Sequence, residues 1–426
     1  MKLISFLGDT VYRTTTYRWQ DREISTAYAA AACCEFFHPD ELIVFCTEEA
    51  YSANWEGLCS AVREINGPEP VYRNIAIGKN EAELWQIFGD LTETIPSGSE
   101  IAIDLTNGQR SLAAVVILAS VFMKTGLNVN ISHLYYGAFN VDKEMPGISP
   151  MFDLSPMLEL VNWGIAAERF NRDGDSSDLA EQFYQYAHNY TRDHTGEERE
   201  AGRILKSLAN DLTDISRSYL LLRPKQTRKA EQQLRDHMEK AGDALANMPE
   251  QEPLKLLLSR IESTYLPKIE NTENEAVQML LQERSMINWY RHHGHYMQAV
   301  SLSREWLLTW LMVQNGVNST VDLDNAKLRE AYKQKFFRKH KKAESDPLDT
   351  TEGKGEPQDL EIGDIYVPED VNEKEFFTLF DTLGDQRNDM AHAGKRGNPN
   401  DPKHFVIKIN ERIDRLMKLP IAGEES

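Results

Sequence analysis

The feature that most constrains this chain is a change of period. Through the first 150 residues, short apolar runs alternate with amphipathic helical stretches; from about residue 156 the runs vanish, and helical periodicity continues alone to about residue 340. The runs at 2–7, 42–46, 71–77, 100–104 and 128–136 read as strands, and the stretches at 24–37, 55–65, 79–94 and 108–124 read as helices.

Strand–helix alternation with short turns predicts an α/β Rossmann-like N-terminal domain: a parallel-rich sheet with helices on both faces, followed by an all-α domain. Ligands in such sheets bind beyond the carboxyl ends of the strands. The chain divides on this reading into 1–155, a helical connector and start of the helical domain at 156–320, and a last region at 321–426. That last region carries a charged insertion near 327–370. It starts with eight bases between Lys327 and Lys342, read as a solvated helix face, and continues as an acidic stretch from 344 to 370, read as a flexible surface insertion.

Composition narrows the partners. With 67 acids against 47 bases the net charge is −20, which argues against a broad DNA or anionic-membrane footprint, though not against one local pocket for a nucleic acid. The apolar runs are too short to span a bilayer, and the N-terminus MKLISFLGDTVYR reads as a buried strand, not a signal peptide. Cys33, Cys34, Cys46 and Cys59 match neither a zinc pattern nor a disulfide framework, so a cytoplasmic, reducing compartment is expected. His292, His293 and His295 cannot all face one ion across Gly294, so no metal and no cofactor is expected.

Two segments of the first domain suit an anionic ligand. In SFLGDTVYRTTTYRW (5–19) a strand ends at Leu7, and Gly8, Asp9 and Thr10 turn the chain, with the hydroxyls of Thr14 and Thr15 close by. In IAIDLTNGQRSLAAVVILAS (101–120) a strand ends at Asp104, and Thr106, Asn107, Gly108 and Gln109 lead into a helix whose first turn holds Arg110 and Ser111. A helix N-terminus offers unpaired N–H groups, and an arginine adds a bidentate phosphate contact. Arg110 equally suits a surface residue, and Asp104 equally suits a helix cap or a hydrogen bonder at the sheet end. Neither segment matches the dinucleotide or P-loop fingerprints.

The segment LGDQRNDMAHAGKRG (383–397) places Arg387 and His392 at R-x4-H spacing, with Asn388 beside the arginine. Residues five apart on a helix differ by about 140°. They share a site only if a bent first turn near a helix start, or a two-fold axis, brings them together. Histidine shuttles protons near neutral pH and arginine stabilises a crowded phosphate, while RNA supplies its own 2′-OH nucleophile. Bare R-x4-H spacing also arises by chance.

Taken together, strand-FLG-x3-Y and the turn D-x-T-x-G-x-R-S resemble the CRISPR-associated Rossmann fold (CARF) domain, and R-N-x3-H resembles the active-site motif of HEPN ribonucleases. Their order resembles the CARF–HEPN effectors of type III CRISPR systems, over residues 1–150 and 370–397; the middle matches only in being helical. Asn107 stands where the family's turn carries His. The resemblance implies a homodimer, alone or in higher assemblies, whose paired sensor domains bind a cyclic oligoadenylate, with cyclic tetra-adenylate expected. It implies metal-independent cleavage of single-stranded RNA to 2′,3′-cyclic phosphate ends at a composite site, with Arg387, Asn388 and His392 catalytic. Gly8, Asp9, Thr10, Thr106, Asn107, Gly108, Gln109, Arg110 and Ser111 would line the sensor pocket. Two rivals are a non-catalytic sensor that binds a partner through its helical half, and a nuclease that degrades its own activator in the CARF pocket.

Overall fold

A computed structural model describes residues 1–107, 110–139, 147–245, 251–266, 272–341, 362–395 and 401–421. The chain divides into two compact units, Met1–Gly164 and Ile165–Ser426. The second unit therefore takes in nearly all of the stretches read from sequence as 156–320 and 321–426.

The first unit is built on an eight-stranded sheet: β1 (Lys2–Leu7), β2 (Thr15–Trp19), β3 (Arg22–Thr26), β4 (Glu41–Cys46), β5 (Pro70–Asn74), β6 (Glu100–Asp104), β7 (Asn130–Gly137) and β8 (Ile148–Asp153), in the order β3-β2-β8-β7-β6-β1-β4-β5. The run β7-β6-β1-β4-β5 is parallel throughout. Side chains alternate across it. Leu3 and Leu7 of β1 pack on one face with α1 (Ala29–Phe37) and α2 (Glu48–Glu64), through Cys33, Phe36, Leu58 and Val62. Ile4 and Phe6 pack on the other face with α3 (Glu81–Thr94) and α4 (Arg110–Gly126), through Ile87, Leu91, Val116 and Met123. Two-sided burial explains why β1, β4, β6 and β7 read as near-continuous apolar runs.

Three strands depart from the sequence reading. β2 and β3 form an antiparallel hairpin at the sheet edge, and β8 pairs antiparallel with β7 and parallel with β2. Ile24, expected in the first helix, pairs with Tyr17 in that hairpin. These three strands at one end of the sheet, of which β3 is the edge, are short and interleave polar with buried residues, so they lack the apolar run that marks a central strand.

The second unit is helical throughout its described residues. α5 (Ser155–Asp173) runs across the boundary; α6 (Ser177–Asp193), α7 (Gly196–Leu220), α8 (Pro224–Ala244), α9 (Gln251–Tyr265) and α10 (Glu275–His292) follow. Then come α11 (Tyr296–Gln314), the one-turn α12 (Thr320–Leu323), α13 (Ala326–Lys341), α14 (Glu373–Ala391) and α15 (Pro402–Met417). α11 is the hub. Trp306 and Trp310 are fully buried; the indole of Trp310 donates to Pro420 O at 2.7 Å, and its ring packs on Phe376 of α14. The basic face of α13 is tied down locally, with Arg329 on Glu305 and Lys339 on Glu373, while residues 342–361 of the expected insertion lie outside the described residues. No described helix is long and apolar enough to cross a membrane.

Candidate functional site

In the parallel run the chain order proceeds outward from β1 in both directions, through β4 and β5 on one side and β6 and β7 on the other. That reversal opens a crevice at the carboxyl ends of β1, β4 and β6. A cavity of about 440 Å³ lies there, lined by Gly8, Asp9, Thr10 and Tyr12 after β1, Thr47, Glu49 and Ala50 at the start of α2, Ile75–Ile77 after β5, Thr106 and Asn107 after β6, and Ile87 and Leu112.

The two glycine-bearing segments meet at this cavity. A Cβ on Gly8 would lie 3.3 Å from Tyr12 Oη and 3.6 Å from the carbonyl of Asn107, so only glycine leaves both neighbours at ordinary contact. The Gly8 N–H donates to Tyr12 Oη at 2.8 Å, and Asn54 Nδ2 donates to Gly8 O (2.8 Å) and Thr10 O (3.0 Å), so α2 clamps the turn. Asp104 sits beneath the surface. It accepts from Ser5 Oγ (2.8 Å) and from Thr106 N (2.9 Å) and Oγ1 (2.6 Å), and Thr106 Oγ1 in turn accepts from Gly137 N at 2.8 Å. Burial pushes the Asp104 carboxyl upward, against the Thr106 and Ser5 hydrogen bonds that hold it down. Asp104 thus shapes the turn from below; of the two roles its sequence context allowed, the geometry matches hydrogen bonding at the sheet end.

Of the residues expected to face a ligand, Gly8, Asp9, Thr10, Thr106 and Asn107 converge on the cavity. Thr15 does not: it is buried in β2, and its hydroxyl bonds Gly147 O (3.0 Å) and Ser149 Oγ (2.9 Å). Thr14 is exposed and outside the lining, and Ser111 turns its hydroxyl toward the Gly78 loop. Gly108, Gln109 and the side chain of Arg110 lie outside the described residues. Sequence reading passed over Thr47, Glu49, Asn54 and Ile75–Ile77, and took Tyr12 only as part of the FLG-x3-Y motif. The expected start of α2 at residue 55 is seven residues late, because Glu48–Asn54 shows little apolar period; the available signal was Thr47, whose side chain accepts from Ala50 N as an N-cap.

In the second unit α14 begins at an Asn372 cap and buries Phe376, Leu379, Phe380, Leu383 and Gln386. Arg387 falls beside this stripe and is exposed, with Nη1 3.4 Å from Asn388 Oδ1. His392 is the C-terminal cap. Its N–H donates to Asn388 O at 3.0 Å, and Ala393 and Gly394 then adopt positive φ, their N–H groups returning to Met390 O and Asp389 O. The motif therefore sits at the end of a helix, not near a start as one of the expected routes required. The turn leaves the imidazole exposed, with no hydrogen-bond partner among the described residues. Arg387 also lines a cavity of about 590 Å³ within the helical unit.

His293 Nδ1 donates to Trp289 O (2.9 Å) and His295 Nε2 to Asp173 O (2.7 Å), so both ring systems belong to the packing around Trp289. All four cysteines are free and buried, and burial pushes the Cys34 and Cys46 thiols up to about 12.

A parallel-rich sheet covered by helices on both faces, with a cavity at its switch point lined by the turns after β1 and β6, defines a Rossmann-like α/β domain. No protein-family profile matches the chain. A CRISPR-associated protein of Methanocaldococcus jannaschii is 28% identical over 157 residues, which is 34% of this chain and 25% of that relative. The chain thus matches about a quarter of the length of the curated relative. Among solved structures, Enterococcus italicus Csm6 bound to cyclic hexa-2′-fluoro-hexa-dAMP is similar with a TM-score of 0.44 at 12% identity, over 98% of this chain and 93% of that one. No residue role is carried over from so distant a likeness. The similarity to a CRISPR-associated relative over a third of the chain agrees with the resemblance of the paired motifs to CARF-containing proteins of type III CRISPR systems.

Proposed function

We propose that this protein is a cyclic oligoadenylate-activated, metal-independent endoribonuclease of type III CRISPR defence, acting as a homodimer. The observation that carries the reading is the meeting of Gly8–Thr10 with Thr106–Asn107 at one cavity on the sheet's switch point. The Thr10 hydroxyl and the Asn107 side-chain amide are the donors offered to a phosphate ring where the lining holds no described cation, since the Thr106 hydroxyl and N–H are committed to Asp104.

The chemistry follows from the end of α14. Two copies of the motif around a two-fold axis supply what one exposed copy lacks. His392 takes the proton from a ribose 2′-OH, or gives one to the leaving 5′-oxygen. Arg387 stabilises the extra charge on the pentavalent phosphorus. Asn388, in contact with Arg387, orients the arginine or the substrate. The 2′-oxygen–phosphorus bond forms, the 5′-oxygen–phosphorus bond breaks, and the products are a 2′,3′-cyclic phosphate and a 5′-hydroxyl. Activation requires the cyclic ligand to bind the cleaving arrangement more tightly than the idle one.

The test is cleavage of a fluorogenic single-stranded RNA in EDTA, with and without cyclic tetra-adenylate and cyclic hexa-adenylate. Cleavage only with one of the rings is expected. Ring binding without cleavage would replace this reading with a non-catalytic sensor, and conversion of the ring to linear product would add self-inactivation.

A further inference from the structure

The second unit's cavity has a chemistry of its own. Its lining includes Arg223 and Lys225 at the start of α8, Arg228 one turn on, Arg304 of α11, Arg329 of α13 and Arg387 of α14, against the carboxylates Glu283, Glu305 and Asp324. Six bases around one hollow, in a chain of net charge −20, mark a local reversal of sign.

The six are not equivalent. Arg329 is held in the frame, donating to Thr309 Oγ1 (2.9 Å), Leu323 O (2.9 Å) and both Glu305 O (3.0 Å) and Oε2 (2.9 Å). Arg228 lies 3.6 Å from Glu283, beyond a hydrogen bond, and its buried Nη1 has no hydrogen-bond partner. Glu283 is itself 4% exposed, and burial pushes its carboxyl up to about 7, so it only partly offsets the arginine at neutral pH. Arg304 reaches no closer than 3.7 Å to Glu305 and lies along α14, where a Cβ on Gly384 would meet its Nε at 3.4 Å, one turn before Arg387. Arg223, Lys225 and Arg387 have no carboxylate partner among the described residues. Pro224, Lys225 and Gln226 of the first turn of α8 also line the hollow, where a helix N-terminus carries partial positive charge.

We propose that this cavity is a phosphate subsite that holds the RNA strand beside the scissile bond, with Arg223, Lys225, Arg228 and Arg304 gripping backbone phosphates and Arg387 at the rim linking the subsite to the reacting phosphate. The assignment rests on the ribonuclease reading for its substrate. The four bases are positioning residues that bind the strand without touching the reacting atoms.

The test uses the full chain with cyclic tetra-adenylate present and a 2′-O-methyl oligoribonucleotide, which keeps the phosphates but lacks the nucleophile. Arg223→Gln with Lys225→Gln, both exposed, is compared with wild type across a salt series. The expected result is about tenfold weaker binding and a salt slope shallower by roughly 1.4, the value for two lost single-strand phosphate contacts. An unchanged affinity and slope overturns the subsite, while undiminished RNA cleavage in the same variant leaves the ribonuclease reading standing. A reduced slope in a protein that never cleaves RNA supports the subsite and removes the nuclease. If titrated inorganic phosphate binds in an Arg223-dependent way while oligonucleotide binding is unmoved, the pocket takes a free anion and the RNA assignment is wrong.

Discussion

The two cavities of this protein suit phosphate by opposite means. The one in the first unit is made of turns: Gly8, Thr10, Thr106 and Asn107 bring backbone and hydroxyl groups to the strand ends, and its only charged lining residues among those described are Asp9 and Glu49. The one in the second unit is made largely of helices, with bases from α8, α11, α13 and α14 and from Arg223 just before α8. The first domain as a whole is acidic, with ten bases to nineteen acids in its first 150 residues. A turn-built site selects by shape, because its donors are fixed in the backbone. A side-chain-built site attracts by charge and tolerates sequence. The first suits a defined small messenger, the second a polymer of any sequence.

That contrast breaks most sharply at the reacting groups. His392→Ala is expected to lower activated RNA cleavage by about 10²–10⁴-fold, and Arg387→Ala by about 10²–10³-fold. Because both side chains are exposed, thermal unfolding and oligomeric state should stay unchanged. Cleavage that persists in His392→Ala would remove the motif from the mechanism. In the first unit, Thr10→Ala combined with Asn107→Ala is expected to raise the cyclic tetra-adenylate concentration needed for half-activation by about tenfold, the cost of two or so lost hydrogen bonds. Its maximal rate should be kept. A salt titration then sharpens the difference in kind: RNA affinity should fall steeply between low and physiological salt, and messenger affinity much less.

A smaller effect tests the helical interior. Burial raises both Glu283 and Glu231 to about 7, from the usual carboxylate range near 4.5. A raised carboxyl binds its proton more tightly in the folded state. Its contribution is therefore fully present below the unfolded value and is lost as pH climbs through 7. Stability should decline between about pH 4.5 and 7, by on the order of 2–3 kcal/mol for each group. Glu283→Gln should flatten that decline in urea unfolding curves; an unaltered pH profile would show that the site is solvated. The smallest expected change comes from Thr47→Ala, which removes the α2 cap beside the first unit's cavity and should cost about 1 kcal/mol.

How much of this was legible depended on where each residue's partners lie in the chain. β1, β4, β6 and β7 announced themselves because a strand buried on both faces must be apolar along its length. The hairpin of β2 and β3 did not. Its place in the sheet depends on β8, which follows it by about 120 residues, and Thr15 looked like a ligand donor until its hydroxyl was found on Ser149. The turns after Leu7 and Asp104 were readable because Gly-Asp-Thr and Thr-Asn-Gly are runs of turn-forming residue types. Asn54 and Ile75–Ile77 were not, since nothing local distinguishes an asparagine that braces a loop from one on a solvated helix face, or an isoleucine at a cavity from one in a core.

By itself, then, the sequence determined the elements whose burial dictates their own residues, the two kinds of domain, and the short motifs in which chemistry demands fixed spacing. Tertiary structure decided the rest: which turns share a cavity, that Asp104 lies under the surface, that Arg387 and His392 end a helix, and that Arg223, Arg304 and Arg387, spread over more than 160 positions, face one hollow. The reason is physical. Local propensity acts over a few residues and is written in them, whereas a binding site is a meeting of surfaces that only close packing brings together.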